Sequence, residues 1–435
     1  MRIYDDIKTF FRTYAGIICG AYLMSEVADL GKARLEDYEE IVGEEEIDSI
    51  RALADRIRGR SVTHVNSTSY GGGVAEILYK MIPLMQDVGL DAHWKVIKGA
   101  DEFFNVTKKM HNGLQGMDLE LTDQDKDIYT RYNEMNSETL SLDTDYVIIH
   151  DPQPAAMIRF YPERSGRWIW RCHIDLSQPN QNVLDFIAPH IQLYDAAIFS
   201  MKQYVKKNLD IGGIAIIPPS IDPLSDKNKP LKESEILSKL ERYGINPSKP
   251  VVTQVARFDP WKDPLGVIDA YQIVKKKIRD CQLLLIASMA LDDPEGWTYH
   301  EKTVRHAGED YDIHFLTDLV GVKNLEVNAF QRATDVAIQK SLREGFGLSV
   351  TEALWKGVPV VGGNVGGIVL QIVDGVSGFL VKTTEEAAEK TAYLIEHPDE
   401  AKQMGEKGRE HVRSNFLITR HLKDYLKLFV SLSNR

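Results

Sequence analysis

From residue 61 onward the chain alternates short β-branched runs with amphipathic segments of helical spacing. This alternation is typical of a parallel sheet whose strands are joined by crossover helices. A first series of strands is predicted at 62–66, 92–97, 146–150, 168–173, 196–199 and 214–217. A second series is predicted at 251–255, 283–286, 313–316, 336–339, 358–362 and 379–381. The predicted fold class is therefore α/β, with two doubly wound halves of similar size.

Two consecutive prolines, Pro218 and Pro219, mark the boundary between these halves, because such a pair fits neither a strand nor a helix interior. The pattern predicts a first domain at 61–217 and a second at 218–415. Residues 1–60 are predicted to form a helical segment packed on the first domain, and 416–435 an amphipathic helix able to cross back to it. Ligands of such sheets bind beyond the carboxyl ends of the strands, so the predicted site is the cleft between the halves.

Composition and charge narrow the class of protein. The 435 residues are 43% apolar and 27% charged, which is typical of a soluble globular protein. The net charge of −12 favours neither nucleic acid nor an anionic membrane as a partner. Three scattered cysteines, Cys19, Cys172 and Cys281, indicate neither a disulfide framework nor a zinc site. Because the apolar stretch 14–24 is too short to span a membrane and lacks a cleavage-site pattern, we expect a cytoplasmic protein.

The stretch 343–352 (REGFGLSVTE) is the strongest candidate for a ligand site. It leads from an apolar run through a glycine turn into a helix, whose first N–H groups favour an anion. Glu344 and Glu352 bracket the turn, and a carboxylate can accept two sugar hydroxyls at once. A helix with ordinary acidic residues near its start is the alternative, and for Glu352 alone it is equally good. The turn itself consists of Gly345, Phe346, Gly347 and Leu348.

Basic residues follow the first strand of the second half. Arg257 and Lys262 lie just past the strand at 251–255, where a ligand of this domain would bind. A guanidinium and an ammonium together can hold a diphosphate and neutralise a departing nucleotide. A solvated basic pair in a loop is the plainer alternative. Their place in the domain that also holds 343–352 favours the ligand site.

Polar and small residues follow several strands of the first half. Gly72 and Gly73 stand between a strand and a helix, where backbone can approach a ligand, although a tight turn explains them equally well. His173 is a candidate for the cleft, with a structural histidine as the alternative. The acidic run at 292–295 predicts a surface loop rather than a metal site. Candidates for binding the hydroxyls of a second, neutral substrate are Asp151, Gln153 and Asp175.

Several motifs together resemble a known family of glycosyltransferases. The glutamates of 343–352 resemble the paired glutamates, with seven residues between them, of retaining enzymes with the two-domain GT-B fold, the group that includes glycogen and sucrose synthases. The chain is more specifically similar to trehalose glycosyltransferring synthases. The segments that carry this likeness are 64–78 (HVNSTSYGGGVAEIL), 150–155 (HDPQPA), 170–177 (WRCHIDLS), 218–225 (PPSIDPLS), 255–262 (VARFDPWK) and 292–297 (DDPEGW).

This resemblance implies a fold and a reaction. The fold would be GT-B, two Rossmann-like domains that face each other across a cleft. The reaction would be the reversible, retaining transfer of glucose from a nucleotide-glucose (ADP-, UDP- or GDP-glucose) to free glucose, giving trehalose. No cofactor would be required, and Mg²⁺ would at most stimulate. The expected partners are the three sugars, with neither nucleic acid nor membrane, and a homodimer is compatible with the sequence.

The resemblance also implies a role for each motif residue. Arg257 and Lys262 would hold the donor diphosphate, Glu344 the hydroxyls of the transferred glucose, and Glu352 the nucleotide ribose. His173 would lie near the 6-hydroxyl of that glucose and the reaction centre. The donor substrate would also contact Gly72, Gly73 and the backbone of Gly345, Phe346, Gly347 and Leu348. The acceptor would meet Asp151, Gln153, Asp175 and Ser67.

Two other functions fit the same pattern. A retaining trehalose phosphorylase would use glucose 1-phosphate, which would leave Glu352 without a ribose to bind. A related transferase would use another acceptor, such as a sugar phosphate or a glycan. It would require a basic cluster at the acceptor loops. Two departures from the family pattern concern the shape of loops: Asp263 stands after Lys262 in place of the common glycine, and the strand ending at Ser288 lacks an expected glycine.

Overall fold

The computed structural model describes residues 26–27, 29–69, 72–289 and 294–434. The expectations for the apolar stretch 14–24, for Cys19 and for the acidic pair Asp292 and Asp293 lie outside these residues.

The first domain contains a six-stranded parallel sheet. Its strands are β1 (Ser61–Asn66), β2 (Asp91–Val96), β3 (Tyr146–His150), β4 (Arg167–Cys172), β5 (Ala196–Phe199) and β6 (Ile214–Ile216). The spatial order is β2-β1-β3-β4-β5-β6. Around it lie α1 (Glu39–Val42), α2 (Glu44–Asp55), α3 (Gly73–Asp87), α4 (Asp101–Leu114), α5 (Asp123–Thr139) and α6 (Gln181–Ile191), with short 3-10 turns at Leu35–Tyr38, Ala155–Phe160 and Lys202–Tyr204.

The second domain contains another six-stranded parallel sheet. Its strands are β7 (Val251–Val255), β8 (Gln282–Ala287), β9 (Ile313–Thr317), β10 (Val336–Gln339), β11 (Val360–Gly363) and β12 (Gly378–Val381), in the order β12-β11-β10-β7-β8-β9. Its 3-10 turns are Pro260–Lys262 and Asp318–Val320. Its helices are α7 (Glu233–Arg242), α8 (Pro264–Lys277), α9 (Pro294–Ala307), α10 (Asn324–Arg332), α11 (Leu348–Trp355), α12 (Ile368–Gln371), α13 (Thr384–Glu396) and α14 (Pro398–Asn415), and α15 (Ile418–Ser433) follows.

The predicted fold class is confirmed, and every predicted strand has a counterpart in one of the two sheets. The largest difference is at β11, which begins at Val360 instead of 358. The strand order reverses between β1 and β3 in one sheet and between β7 and β10 in the other. At such a switch point the neighbouring crossovers leave on opposite faces and open a crevice at the carboxyl edge. The loops after these four strands are therefore the ones placed to bind a ligand.

The last helix, α15, packs on the first domain although it follows the second in the chain. Its apolar face contacts α2 and α3, and the ring of Phe429 stacks on Tyr146 of β3 with 4.5 Å between centroids. The two segments that link the domains run side by side, since Ile221 pairs with Leu417. The N–H of Ile221 donates to the carbonyl of Phe416 at 2.9 Å. Two paired crossings join the domains and limit how far they can separate.

Buried histidines make the stability of this fold sensitive to acid. Burial lowers the pKa of His64 to about 3 and the pKa values of His111 and His190 to about 4. In the unfolded chain these rings would titrate near pH 6.5, so between about pH 6.5 and 4 the unfolded state binds more protons. We expect the free energy of unfolding, measured with denaturant, to be constant above about pH 7 and to fall steadily towards pH 4. A flat profile over that range would contradict this account, and His190→Gln should reduce the slope.

Candidate functional site

The structure brings Lys262 and Glu344 into direct contact at the switch point of the second sheet. Lys262 ends the short turn after β7, and Glu344 follows β10. The Nζ atom of Lys262 lies 2.6 Å from Oε2 of Glu344, and the hydroxyl of Ser341 donates to the same oxygen at 3.2 Å. Both side chains are largely buried. Two residues 82 positions apart, predicted separately as ligands of phosphate and sugar, thus form one charged pair.

The loop that carries Lys262 is held by its neighbours. Asp259 accepts the N–H of Lys262 at 3.0 Å, and the amide of Gln254 donates to the carbonyl of Lys262 at 2.8 Å. Asp263 has a left-handed φ of 50°, which accounts for the glycine expected there, because glycine takes this conformation without steric cost. The carboxylate of Asp263 caps α8 by accepting the N–H of Gly266 at 3.1 Å and is ion-paired with Lys340. These bonds hold Lys262 in place at the start of α8.

Arg257, the other predicted cation, extends from the same loop and is 60% exposed. Its Nη2 atom lies 3.6 Å from Oδ2 of Asp259. Across the cleft lies His111 of α4, whose pKa is lowered to about 4 by burial and further by the charges of Arg257, Lys108 and Lys262. Cations from both domains thus lie around His111 in this part of the cleft.

The glycine turn of 343–352 packs against the first domain. The hydroxyl of Tyr204 donates to the carbonyls of Glu344 and Gly345 at 3.0 and 2.9 Å. Gly345 lies so close to β4 that a Cβ atom there would be 2.4 Å from the carbonyl oxygen of His173. A glycine is therefore needed at 345 because two backbone segments touch there.

The start of α11 lies at this same contact. Gly347, with a φ of 84°, precedes the helix, which begins at Leu348 without a side-chain cap. A Cβ atom on Gly73, the first residue of α3, would be 2.6 Å from Cδ1 of Leu348. The side chain of Phe346 is buried and packs on Phe416 with 5.5 Å between ring centroids. Gly72, Gly73 and the turn 345–348 thus lie together where the domains meet.

His173 follows β4 and faces this contact. The Nε2 atom of His173 lies 3.0 Å from Nδ1 of His150, and its backbone N–H donates to Oδ1 of Asp151 at 2.8 Å. Burial and the nearby guanidinium of Arg171 hold the pKa of His173 well below its usual range, so the ring is neutral. Burial also raises the pKa of Asp151 to about 7, and its φ of 61° is left-handed. Asp151 was predicted to contact the acceptor. One of its oxygens accepts the backbone N–H of His173 and so holds that residue in place.

The remaining predicted acceptor residues lie at the carboxyl edge of the first sheet. Ser67 comes directly after β1 and is half-buried. The side-chain oxygen of Gln153 is buried without a hydrogen-bond partner among the described residues. Asp175 is buried, and its Oδ1 accepts the N–H of Ser177 at 2.8 Å. The structure thus gathers these residues on the first domain's side of the cleft.

Glu352 occupies a separate ion network that also joins the domains. It is 2% exposed, and its Oε2 lies 3.4 Å from Nε2 of Gln331. The Nζ atom of Lys227 lies 3.3 Å from Oε1 of Glu352 and 2.7 Å from Oε1 of Glu76 in α3. Lys227 was not predicted, because it lies in a charged segment where nothing distinguishes it from its neighbours. Tyr204 was not predicted either, because its contacts are with residues about 140 positions away.

Two protein-family models match most of the chain between them. The model described as "Trehalose synthase, N-terminal domain" matches residues 64–206, and "Glycosyl transferases group 1" matches residues 236–411. The trehalose synthase of Thermococcus litoralis is 56% identical over 94% of this chain and 100% of its own length. The chain belongs to the trehalose synthase family. A trehalose synthase of Rubrobacter xylanophilus is 50% identical over 92% of the chain and 98% of its own length.

More distant relatives agree with this assignment. A trehalose phosphorylase of Pleurotus pulmonarius is 28% identical over 87% of the chain and 58% of its own length. Among solved structures, a sucrose-phosphate synthase of Thermosynechococcus elongatus shares the fold with a TM-score of 0.69 at 14% identity, covering 86% of this chain and 99% of that one. A trehalose 6-phosphate synthase of Burkholderia multivorans has a TM-score of 0.68 at 15% identity, covering 86% and 99%. This member of the trehalose synthase family is a glycosyltransferase of the GT-B fold that acts in trehalose-related glycosyl transfer.

Two further features follow from the described residues. In the parts of the chain that the structure describes, no helix is long and apolar enough to cross a membrane. Within the same ranges, no cluster of three or more histidine, cysteine or acidic side chains is arranged to bind a metal ion. The two described cysteines, Cys172 and Cys281, are free and buried.

Proposed function

We propose that this member of the trehalose synthase family transfers glucose from a nucleoside diphosphate glucose to free glucose, with retention of configuration, and that the transfer is reversible. The observation that carries the proposal is the Lys262–Glu344 pair at the switch point of the second sheet, 2.6 Å apart and next to the contact with His173. A cation that neutralises phosphate and a carboxylate that accepts sugar hydroxyls are thereby brought to one point. A nucleotide sugar carries its phosphate next to sugar hydroxyls, so it offers a partner to the cation and a partner to the carboxylate.

The donor would bind mainly to the second domain. The Lys262 ammonium has three donors, of which Glu344 uses one, so the others remain for a phosphate oxygen. Arg257 and the uncapped start of α11 add positive charge on the same side. Glu344 keeps lone pairs for two hydroxyls of the glucose, while the neutral ring of His173 can donate to a third. Glu352 would bind the ribose if Lys227 released it, since Lys227 now holds its Oε1.

The chemistry would depend on position and charge. Transfer with retention on one face of the sugar passes through an oxocarbenium-like state, in which the departing phosphate can act as the base toward the incoming hydroxyl. The protein would stabilise charge growing on the diphosphate through Lys262, Arg257 and the α11 backbone. These cations supply the charge that a metal would otherwise provide, so we propose that Mg²⁺ stimulates rather than being required. Closure of the cleft would keep water from hydrolysing the donor.

The acceptor would lie against the first domain. Asp151, Gln153, Asp175 and Ser67 offer neutral and acidic oxygens there, which suits hydroxyls better than a phosphate group. The one guanidinium among these strand ends, Arg171, is fully buried below the cleft. This environment favours free glucose over a phosphorylated acceptor.

A phosphorylase is the second candidate, favoured by the relatives named trehalose phosphorylase and by the ion pair that occupies Glu352. Incubation of the protein with trehalose and either a nucleoside diphosphate or inorganic phosphate separates the two functions. We expect nucleoside diphosphate glucose to form with ADP, UDP or GDP, and no glucose 1-phosphate to form with phosphate, as measured by anion-exchange chromatography. Glucose 1-phosphate as the sole product would overturn the proposal, and parallel reactions with EDTA or Mg²⁺ would test the role of the metal.

A further inference from the structure

Three imidazole rings form a continuous hydrogen-bonded chain from the core of the first domain to the cleft. Nδ1 of His64 in β1 lies 2.9 Å from Nε2 of His150 at the end of β3. Nδ1 of His150 lies 3.0 Å from Nε2 of His173. The first two rings are 5.2 Å apart and inclined by 27°, and the second two are 5.3 Å apart and inclined by 14°. His64 and His150 are 0% and 3% exposed, so water cannot replace one ring as a partner of the next.

The buried end of this chain, Nε2 of His64, has no hydrogen-bond partner among the described residues. Arg171 of β4, paired in register with His150, is fully buried, and none of its three guanidinium nitrogens has a partner within the same set. Tyr425 of α15 covers the His64 ring at 5.8 Å between centroids. His421, one helical turn earlier, donates to or accepts from Ser220 at 2.8 Å and is not part of the chain.

The unpartnered nitrogen of His64 decides the direction in which the chain donates. Each nitrogen–nitrogen contact needs one N–H and one lone pair, so a chain of neutral rings has only two polarities. A buried N–H without an acceptor is rarer in proteins than an unpartnered lone pair, so the unpartnered Nε2 of His64 carries the lone pair. Nδ1–H of His64 then donates to His150, and Nδ1–H of His150 donates to Nε2 of His173. The proton of His173 is left on Nδ1.

We propose that His64 and His150 are positioning residues that hold His173 as the Nδ1–H tautomer, so that it presents an N–H donor to an oxygen of the sugar in the cleft. This inference rests on the proposed function, in which His173 faces the transferred glucose. Burial and neighbouring Arg171 hold the pKa values of His150 and His173 well below the usual range, which keeps the rings neutral as the chain requires. A ring without this support could take the other tautomer and offer a lone pair where a donor is needed.

The tautomer can be measured directly on the whole protein. Histidine labelled with ¹⁵N gives two-bond proton–nitrogen correlations whose pattern distinguishes Nδ1–H, Nε2–H and imidazolium rings. The His173 signals are assigned by their loss in His173→Gln. We expect Nδ1–H for His64, His150 and His173 at neutral pH. An Nε2–H or charged His173 ring overturns the inference, and this result does not depend on activity.

Variants of His64 test the effect on catalysis. His64→Leu removes the first donor, and we expect kcat to fall about tenfold, the size of one net hydrogen bond, with little change in KM. His64→Asn places an amide near the former Nδ1 position and should restore most of kcat. His190→Leu is the matched control, since His190 is an equally buried histidine of α6 outside the chain. Equal losses in His64→Leu and His190→Leu, or no rescue by asparagine, overturn the inference.

The two proposals fail in different ways. If His173→Gln retains normal synthesis of trehalose, the role of His173 in the proposed function is wrong, whatever its tautomer. If His173→Gln is inactive while His64→Leu matches wild type and the tautomer is Nε2–H, the proposed function stands and the histidine chain has no part in it.

Discussion

Lys262→Ala should lower kcat for trehalose synthesis by about two to three orders of magnitude, the usual cost of losing one preorganised group that stabilises a developing charge. The Lys262 ammonium lies 2.6 Å from Glu344 and is 19% exposed, so little water competes for it. The fold should persist, because Glu344 keeps the Ser341 hydroxyl as a partner and the loop is held by backbone bonds to Asp259 and Gln254. Steady-state kinetics and circular dichroism would measure both.

A control separates loss of the charge proposed to act on the diphosphate from loss of an ion pair. Lys275 of α8 is a partly buried lysine of the same domain that pairs with Asp310 and Asp312, away from the carboxyl edge of the sheet. Lys275→Ala should reduce stability with kcat unchanged, and Lys262→Arg should be intermediate because it keeps the charge but changes its shape. Near-normal turnover in Lys262→Ala would show that Lys262 does not stabilise the diphosphate, and the proposed function would lose its main support.

Much of this architecture was predictable from local pattern. A strand buried on both faces must be a nearly continuous apolar run, and β3 and β8 are such runs. Parallel strands place their carboxyl ends on one edge, so Lys262 after β7 and Glu344 after β10 could be assigned to one site without coordinates. The Lys262–Glu344 contact is the direct result of strands β7 and β10 being neighbours at the switch point.

What the sequence could not predict are the partners that reach a residue from a distant part of the chain. Glu352 was predicted to bind the ribose, yet its carboxylate is paired with Lys227, which the chain brings from 125 positions away. Asp151 follows a strand as a ligand residue does, but a left-handed φ turns one oxygen onto the N–H of His173. Local periodicity contains no information about such contacts, because they depend on how distant segments of the chain pack together.

Gly345→Ala should lower kcat/KM by about a hundredfold with only a modest loss of stability. The added methyl would lie 2.4 Å from the carbonyl oxygen of His173, about 1 Å inside ordinary contact, and a backbone atom cannot move aside as a side chain can. The second domain must then shift away from β4, which stretches the bonds from Tyr204 to the carbonyls of Glu344 and Gly345. A displacement of about 1 Å between reacting groups costs roughly a hundredfold in rate. Kinetics together with small-angle scattering would report the rate and the separation of the domains.

Gly375→Ala provides the matched comparison in the same domain. Gly375 has a φ of 71° and nothing within 4 Å of an added Cβ, so alanine there brings backbone strain of about 1–2 kcal/mol without a steric clash. We expect it to lose at least as much stability as Gly345→Ala and to keep its activity. Gly345→Ala would then lose more activity than Gly375→Ala but no more stability. This result is expected if glycine is needed at 345 because the two domains are in contact there. If Gly345→Ala is fully active and its scattering profile is unchanged, the contact between 345 and His173 is not needed for transfer, and the site must assemble in a more open arrangement of the domains.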